Sequence, residues 1–500
     1  MPRAAVTYVL HLDIEDGPAS LPRRVSRAVV RAIAEGQLAD GDRMPSTRTL
    51  ARSLAIARSV AVEAYDELTA AGFLTARPGS GTHVVIGASA AARAGAFSSA
   101  VATASRPAVV RTRPDGVAFD LSPGFPDTAL ISEKAWTRAW RTAARAALSP
   151  PKVTWLGDVG ESRSGGAHRR FRQQLSEHLR TSRGLLADPE RIFLFSGVNA
   201  AIRTLVPLVA RPGRTLAFED PGYPGARAAF LAGGSAPRPV PVDDEGLVVT
   251  GLTPGDWGVY VTPGHQYPLG ARLSVARRSA LLAWADRHDG VVFEDDYDGE
   301  FRYQVAPMPA VAAMTAGAER VIYLGTASKV LARELRVAWA VVPERLVDDV
   351  RSVLREQGES VSSLPVLALT EFIESGALVR QVASSHRTYA ARRERFASAC
   401  RQLLPQVRLH GVDAGLHVVL TFGQEIDDVL LARQLLARGV ECSPLSRFYA
   451  LGGVGPAQGL VCGYARLAET RARTAVTIIR DVLSRHHPVG PGRRESRGPA

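Results

Sequence analysis

Three of the chain's 61 basic side chains are lysines: Lys134, Lys152 and Lys329. Any chemistry that needs a lysine amine therefore has three places to happen. Lys329 closes the run Gly325-Thr326-Ala327-Ser328-Lys329, directly after the apolar run 321–324. Thr326 and Ser328 set hydroxyls beside the amine, and Arg336 offers a guanidinium fork of the kind that grips phosphate. Lys134 and Lys152 have no such surroundings. An isolated lysine is ordinarily solvated surface, but one that follows a buried-looking strand is not. Asp295 and Asp296 come after a second apolar run, 291–293, and precede Tyr297. Carboxylates at the C-terminal end of a strand fall where α/β sheets hold their ligands. Metal binding by Glu294, Asp295, Asp296 and Asp298 is the alternative, and no second ligand cluster of suitable type supports it.

Three further segments follow strands in the same way. Ser196-Gly197-Val198-Asn199 closes the run 192–195 and opens a helix, and a helix N-terminus after glycine cradles phosphate readily. Tyr223, in Asp220-Pro221-Gly222-Tyr223-Pro224, could stack on a planar ring, although taken singly it reads as a core or turn aromatic. His265, in Thr262-Pro263-Gly264-His265, follows the run 258–261 and could reach a ring hydroxyl; a lone histidine is usually structural. A Schiff-base lysine, an acid for a pyridine nitrogen, a phosphate cradle and a ring-stacking aromatic are the parts a pyridoxal phosphate site requires.

These segments need a sheet to bring them together. From Phe119 onward, apolar β-rich runs (192–195, 215–218, 258–261, 291–293, 321–324, 338–342) alternate with helical stretches, which predicts an α/β fold with a mostly parallel sheet. Residues 345–484 read as a helix followed by shorter strands. Residues 86–118 are Ala-, Ser- and Arg-rich and read as a flexible linker, and residues 485–500 as a disordered tail.

Residues 1–85 read as a separate small domain. Val25, Ala28, Val29 and Ile33 recur at helical spacing over 21–34. Ser46 is a good N-cap for a helix over 47–54. A second helix follows over 58–72, with Val62, Tyr65, Leu68 and Ala71 on one side. Two short strands, 73–77 and 82–85, flank the turn Pro78-Gly79-Ser80-Gly81. Helix, helix-turn-helix and hairpin make a winged helix-turn-helix, whose second helix enters the DNA major groove with its N-terminal residues nearest the bases. Arg58 and Ser59 stand there; Arg48 and Arg77 suit phosphates or the minor groove.

The chain has 500 residues and a net charge of +12, with 46% hydrophobic and 22% charged residues. Those are globular values. The charge is diffuse, net +1 over residues 1–85 (ten basic, nine acidic), so it marks no binding face by itself. No apolar run approaches the length of a membrane span, and the N-terminus is not a secretory signal. Three cysteines, Cys400, Cys442 and Cys462, are too few for a disulfide framework. A reducing cytoplasm fits.

The stretch "RMPSTRTLARSLAIARSVAVEAYDELTAAGFLTARPGSGTHV" resembles the N-terminal domain of GntR-type bacterial regulators, with Ala57 and Val60 where that family usually carries hydroxyls. Residues 119–484 resemble fold-type I aminotransferases, and the combination resembles the MocR/GabR group. The motifs are "EDPGYPG", "VYVTPGHQYPLG", "FEDDYDGEFRY", "YLGTASKVLARELRVAW" and "GLVCGYARL". The resemblance implies Lys329 as the Schiff-base lysine, Asp295 at the pyridine nitrogen, Tyr297 and His265 near the ring hydroxyl, and Tyr223 stacked on the ring. It assigns the phosphate to Gly197, Val198, Thr326, Ser328 and Arg336. Arg447 is the candidate for an effector carboxylate, with Arg227 as rival. Relatives often have Tyr-Gly-Asp-Pro where this chain has Leu156-Gly157-Asp158-Val159, and Phe where it has Ala327.

The expectation is a pyridoxal phosphate-dependent transcriptional regulator. Its aminotransferase-like domain senses the cofactor, or an amine or amino acid effector, through Lys329, and it acts as a homodimer on promoter DNA. The alternatives are a working aminotransferase with an appended DNA-binding domain, and a regulator that has lost the cofactor.

Overall fold

The computed structural model describes residues 10, 12–77, 81–90, 92, 116–148, 165–303, 308–314, 319–357, 361–422, 426–450, 455 and 457–485. The chain divides into two compact units, Met1–Thr112 and Arg113–Ala500.

In the first unit, α1 (Leu21–Ala34) buries Val25, Ala28, Val29 and Ile33. It carries Pro22 in its first turn, where the missing N–H costs nothing. Helix α2 (Thr47–Ser53) starts at Ser46, whose hydroxyl accepts from the Thr49 N–H at 3.1 Å. Helix α3 (Arg58–Ala70) follows a turn in which Ala55 takes a φ of +53°. Its buried stripe is Ala61, Ala64, Tyr65 and Leu68, with Val62 38% exposed. The expected face is thus rotated by about one residue: small alanines, rather than Val62 and Ala71, let α3 lie close against α1 and α2. Strands β1 (Leu74–Arg77) and β2 (Gly81–Val84) form an antiparallel hairpin, Leu74 opposite Val84 and Arg77 opposite Gly81. Pro78, Gly79 and Ser80 lie outside the described residues.

The described ends of the 86–118 stretch are packed. Ala88 and Ala92 join the first unit's core, and the N–H groups of Gly87 and Ser89 donate to Asp40 at 2.6 and 2.9 Å. At the other end, the Ala118 N–H donates to the Gly439 carbonyl at 2.9 Å within the second unit. The rest of that stretch, the 156–159 departure and the tail from 486 lie outside the described residues.

The second unit begins with β3 (Phe119–Asp120), α4 (Glu133–Leu148) and α5 (Gly165–Arg183). Next come β4 (Ile192–Phe195), α6 (Val198–Val209), β5 (Thr215–Asp220), α7 (Pro224–Ala232), β6 (Pro237–Asp243), β7 (Gly246–Leu247) and β8 (Asp256–Val261). Helix α8 (Val275–Arg287), β9 (Val291–Asp295), β10 (Val321–Thr326) and β11 (Ala338–Val341) complete the large sheet. Its order is β4-β11-β10-β9-β8-β5-β6-β7. Only β11 and β7 run against the rest. The sequence reading missed β6, whose Pro237, Pro239 and Pro241 argue against a strand; it holds beside β5 near the sheet's edge.

Successive residues of each strand face opposite sides. Phe218, Tyr260 and Phe293 pack beneath α6 and α7, while Val259, Val261, Val292 and Tyr323 join the core with α5, α8 and α10 (Ser363–Glu374). The region expected to open with one helix contains three: α9 (Val347–Gln357), α10 and α11 (Ala377–Leu403). A smaller lobe follows: β12 (Arg408–His410), β13 (His417–Phe422), α12 (Asp428–Ala437), β14 (Val440–Glu441), β15 (Ser443–Pro444), β16 (Gln458–Gly463) and α13 (Ala472–Leu483).

Candidate functional site

The C-terminal ends of β4, β8, β9 and β10 gather the predicted groups. Lys329 lies three residues past β10, and its amine donates to the Gly124 carbonyl at 2.6 Å. Gly124 has a φ of +76°, and a Cβ there would stand 2.7 Å from the amine, so only glycine lets the backbone come this close. Burial, with the Arg333 guanidinium nearby, lowers the amine to about 8, against the pull of Asp298 and Asp295.

Asp295 ends β9 and is 4% exposed. Its Oδ2 accepts from the Tyr260 hydroxyl at 2.6 Å, while its Oδ1 has no partner. Burial raises its carboxyl to about 7; the Tyr260 hydrogen bond opposes that, and the neighbouring Asp296 adds to it. The surrounding carboxyls are all engaged. Glu294 accepts from the N–H groups of Val311 and Ala312, both at 2.8 Å. Glu219 accepts from Thr262 through both its N–H (3.1 Å) and its hydroxyl (2.6 Å). Asp296 accepts from Arg183, and from the Tyr323 hydroxyl at 2.6 Å. Asp298 pairs with His265 at 2.8 Å. A buried polar atom without a partner is costly, and among the described residues Asp295 Oδ1 is the one carboxylate oxygen that is fully buried and has none.

The phosphate candidates also meet. Gly197, with a φ of +148°, is the N-cap of α6, and a Cβ on it would stand 3.4 Å from Nη2 of Arg336. The guanidinium of Arg336, held on a residue with a φ of +51°, therefore lies against the helix N-terminus where Val198 begins. Thr326 Oγ1 accepts from the Ser328 N–H at 3.1 Å, which folds the segment before Lys329 into a turn. Tyr223 precedes α7, meets Tyr267 edge-on at 5.7 Å between ring centres, and has its hydroxyl within reach of the Asn199 side chain.

His265 sits behind Tyr297. Its Nδ1 lies 2.8 Å from the Tyr297 hydroxyl and 2.8 Å from Asp298, and a Cβ on Gly270 would come within 2.9 Å of its unpartnered Nε2. Arg447 is exposed and near enough to Tyr267 to bear on its hydroxyl. Its rival Arg227 is committed, donating to the carbonyls of Tyr449 (3.0 Å) and Phe448 (2.8 Å). In the first unit Arg48, Arg58 and Ser59 are exposed, and Arg77 ends β1.

Sequence reasoning missed Tyr260, Asn199, Gly124 and Arg183. Tyr260 alternates with valines inside a strand and reads as core.

Residues 140–479 match the model of aminotransferase class I and II, and residues 21–84 that of the bacterial regulatory proteins of the gntR family. The chain is 32% identical to the HTH-type pyridoxine biosynthesis transcriptional regulator PdxR of Corynebacterium glutamicum, covering 93% of this chain and 97% of that protein. It is also 32% identical to the probable rhizopine catabolism regulatory protein MocR of Rhizobium meliloti, with 94% of each covered. The chain belongs to the class I and II aminotransferase family, with a GntR-type helix-turn-helix domain at its N-terminus.

Among solved structures, the kynurenine aminotransferase of Pyrococcus horikoshii superposes with a TM-score of 0.66 at 22% identity, over 78% of this chain and 97% of that one. Aminotransferases of this fold depend on pyridoxal phosphate, and the residues present fit that group. The open oxygen of Asp295 suits a ring N–H, the Gly197–Arg336 cradle suits a phosphate, and an amine lowered to about 8 suits attachment to an aldehyde. Among the described residues no helix is long and apolar enough to cross a membrane.

Proposed function

We propose that this protein is a transcriptional regulator that binds promoter DNA through α2 and α3 and uses its aminotransferase-like unit to sense pyridoxal phosphate or an amine-bearing effector. The open oxygen of buried Asp295, in one chain with a winged helix-turn-helix, carries the reading. The similarity to PdxR and MocR regulators supports it.

When bound, pyridoxal phosphate supplies an aldehyde that attaches reversibly to amines and a ring that withdraws electrons. Lys329 holds the aldehyde, and its lowered amine keeps an unprotonated fraction at neutral pH. Asp295 accepts the ring N–H. The N–H groups at Gly197 and Val198, the hydroxyls of Thr326 and Ser328, and Arg336 take the phosphate. Tyr223 would stack on the ring, and Tyr297, steadied by His265, would hold the ring hydroxyl. Arg447 receives an effector carboxylate. Arg58 and Ser59 meet base edges, while Arg48 and Arg77 meet the backbone. The active form is a cytoplasmic homodimer, whose two DNA modules suit paired half-sites.

The test is the visible absorbance of the full chain mixed with pyridoxal phosphate, beside Lys329→Ala, followed by promoter binding with and without the cofactor and candidate amines. A band lost in the variant, together with cofactor- or amine-dependent DNA binding, is expected. No band, or DNA binding indifferent to both, overturns the proposal. The lowered Lys329 amine also favours a second reading, an active aminotransferase; complete turnover of an amino acid and a keto acid would establish it.

A further inference from the structure

Among the buried carboxyls around Asp295, Asp296 takes its guanidinium from a residue 113 positions away in sequence. Arg183, the last residue of α5, has a side chain 7% exposed. Its Nε donates to Asp296, and its Nη2 to Glu300 at 3.0 Å. Glu300 is also paired with His178 at 2.9 Å. Gly299 makes room for this arrangement: a Cβ there would lie 2.3 Å from Asp296 Oδ1 and 2.7 Å from Arg183 Nη2. One guanidinium thus serves two carboxylates, both held below the usual range by it, Glu300 at about 2.

Asp295 and Asp296 are consecutive and take opposite partners: Tyr260 on β8 for the first, Tyr323 on β10 for the second. A bare charge on Asp296 acts on Asp295 across a short, dry distance.

We propose that Arg183 is a positioning residue: by keeping Asp296 and Glu300 as paired carboxylates, it sets the protonation of the Asp295–Lys329 pair. This rests on the reading that pyridoxal phosphate attaches at Lys329. Arg183 touches neither Asp295 nor Lys329 by hydrogen bond or ion pair, so it acts through charge.

Other groups face the same pair. From β5 comes Glu219, satisfied by Thr262. Asp298 is paired with His265. Tyr223 lies before α7, and Arg333 stands beside the amine. Arg302 and, from α8, Arg278 bear on Asp296 and Glu294; Arg278 is spent on the carbonyls of Leu273, Pro309 and Pro263. None of these groups contributes a guanidinium hydrogen bond to Asp296 as Arg183 does.

The experiment is a pH titration of the visible absorbance of the cofactor-loaded full chain, between about pH 5.5 and 10, for wild type, Arg183→Met, Asp296→Asn and the double variant. Removing the cation leaves excess negative charge, so Arg183→Met moves the midpoint up by about one pH unit. Asp296→Asn leaves the cation in excess and moves it down by a similar amount. The double variant restores the charge balance and returns close to wild type. Two single shifts in the same direction, or unmoved midpoints in variants that still bind the cofactor, overturn the inference. A purely structural role would not give opposite shifts that cancel. If Arg183→Met fails to fold, the downward shift of Asp296→Asn and its reversal in the double variant still decide. A wild type with no visible band refutes the cofactor reading itself, which is a distinguishable failure.

Discussion

Replacing Asp295 with asparagine is expected to stabilise the cofactor-free protein at pH 8 while weakening its hold on pyridoxal phosphate. Burial raises the carboxyl from 3.8 to about 7. Between those values the folded protein keeps a proton that the unfolded chain has released, so stability falls as pH rises through the window. Below about pH 4 both states are protonated and the group costs nothing; above about 7 both are ionised and the full cost is present. Three pH units correspond to about 4 kcal/mol. Asparagine cannot ionise, keeps the shape, and lets Tyr260 retain a hydrogen-bond partner. The assay is thermal unfolding of wild type and Asp295→Asn without cofactor, from pH 5 to 8. The variant should already lead modestly at pH 5, where the unfolded carboxyl is mostly ionised, and its lead should more than double by pH 8, to several degrees. Glu219 and Glu294, both also raised to about 7 by burial, remain in the variant, so its pH dependence shrinks without vanishing. With cofactor present the order reverses, because binding stabilises by mass action and the variant has lost the acceptor for the ring N–H. A variant that is less stable by a constant amount at every pH would refute the reasoning, since Asp295 would then be an ordinary packing residue.

Gly124→Ala should weaken cofactor attachment by tenfold or more in an absorbance titration, because its Cβ would stand 2.7 Å from the Lys329 amine on a backbone with φ +76°. Arg58→Ala should weaken promoter binding by about 1–3 kcal/mol in an anisotropy titration and leave the cofactor titration unchanged; loss of the cofactor would contradict the division of labour between the two units. Gly415→Ala should lower the melting temperature by the equivalent of about 2–3 kcal/mol, since its Cβ would meet His265 Cε1 at 2.3 Å and Asp298 Oδ2 at 2.5 Å with φ at +79°.

Lys329, Asp295 and Gly197 were legible in the sequence for one physical reason. Each ends or follows an apolar strand, and a parallel sheet collects such ends on one side. The same logic cannot find Tyr260. It sits between valines in β8, and it becomes the partner of Asp295 only because β8 and β9 pair in parallel with Tyr260 opposite Phe293. Arg227 shows the converse. As a type it suits a carboxylate, but the fold commits it to the carbonyls of Phe448 and Tyr449, more than 200 residues away in sequence. Arg183 was hidden by composition: where 58 of 61 basic residues are arginine, residue type carries no signal of burial. What distinguishes it is the pair of carboxylates that converge on it. Lysine was informative because it is scarce, and arginine becomes so only once the buried negative charges have been counted and matched one by one.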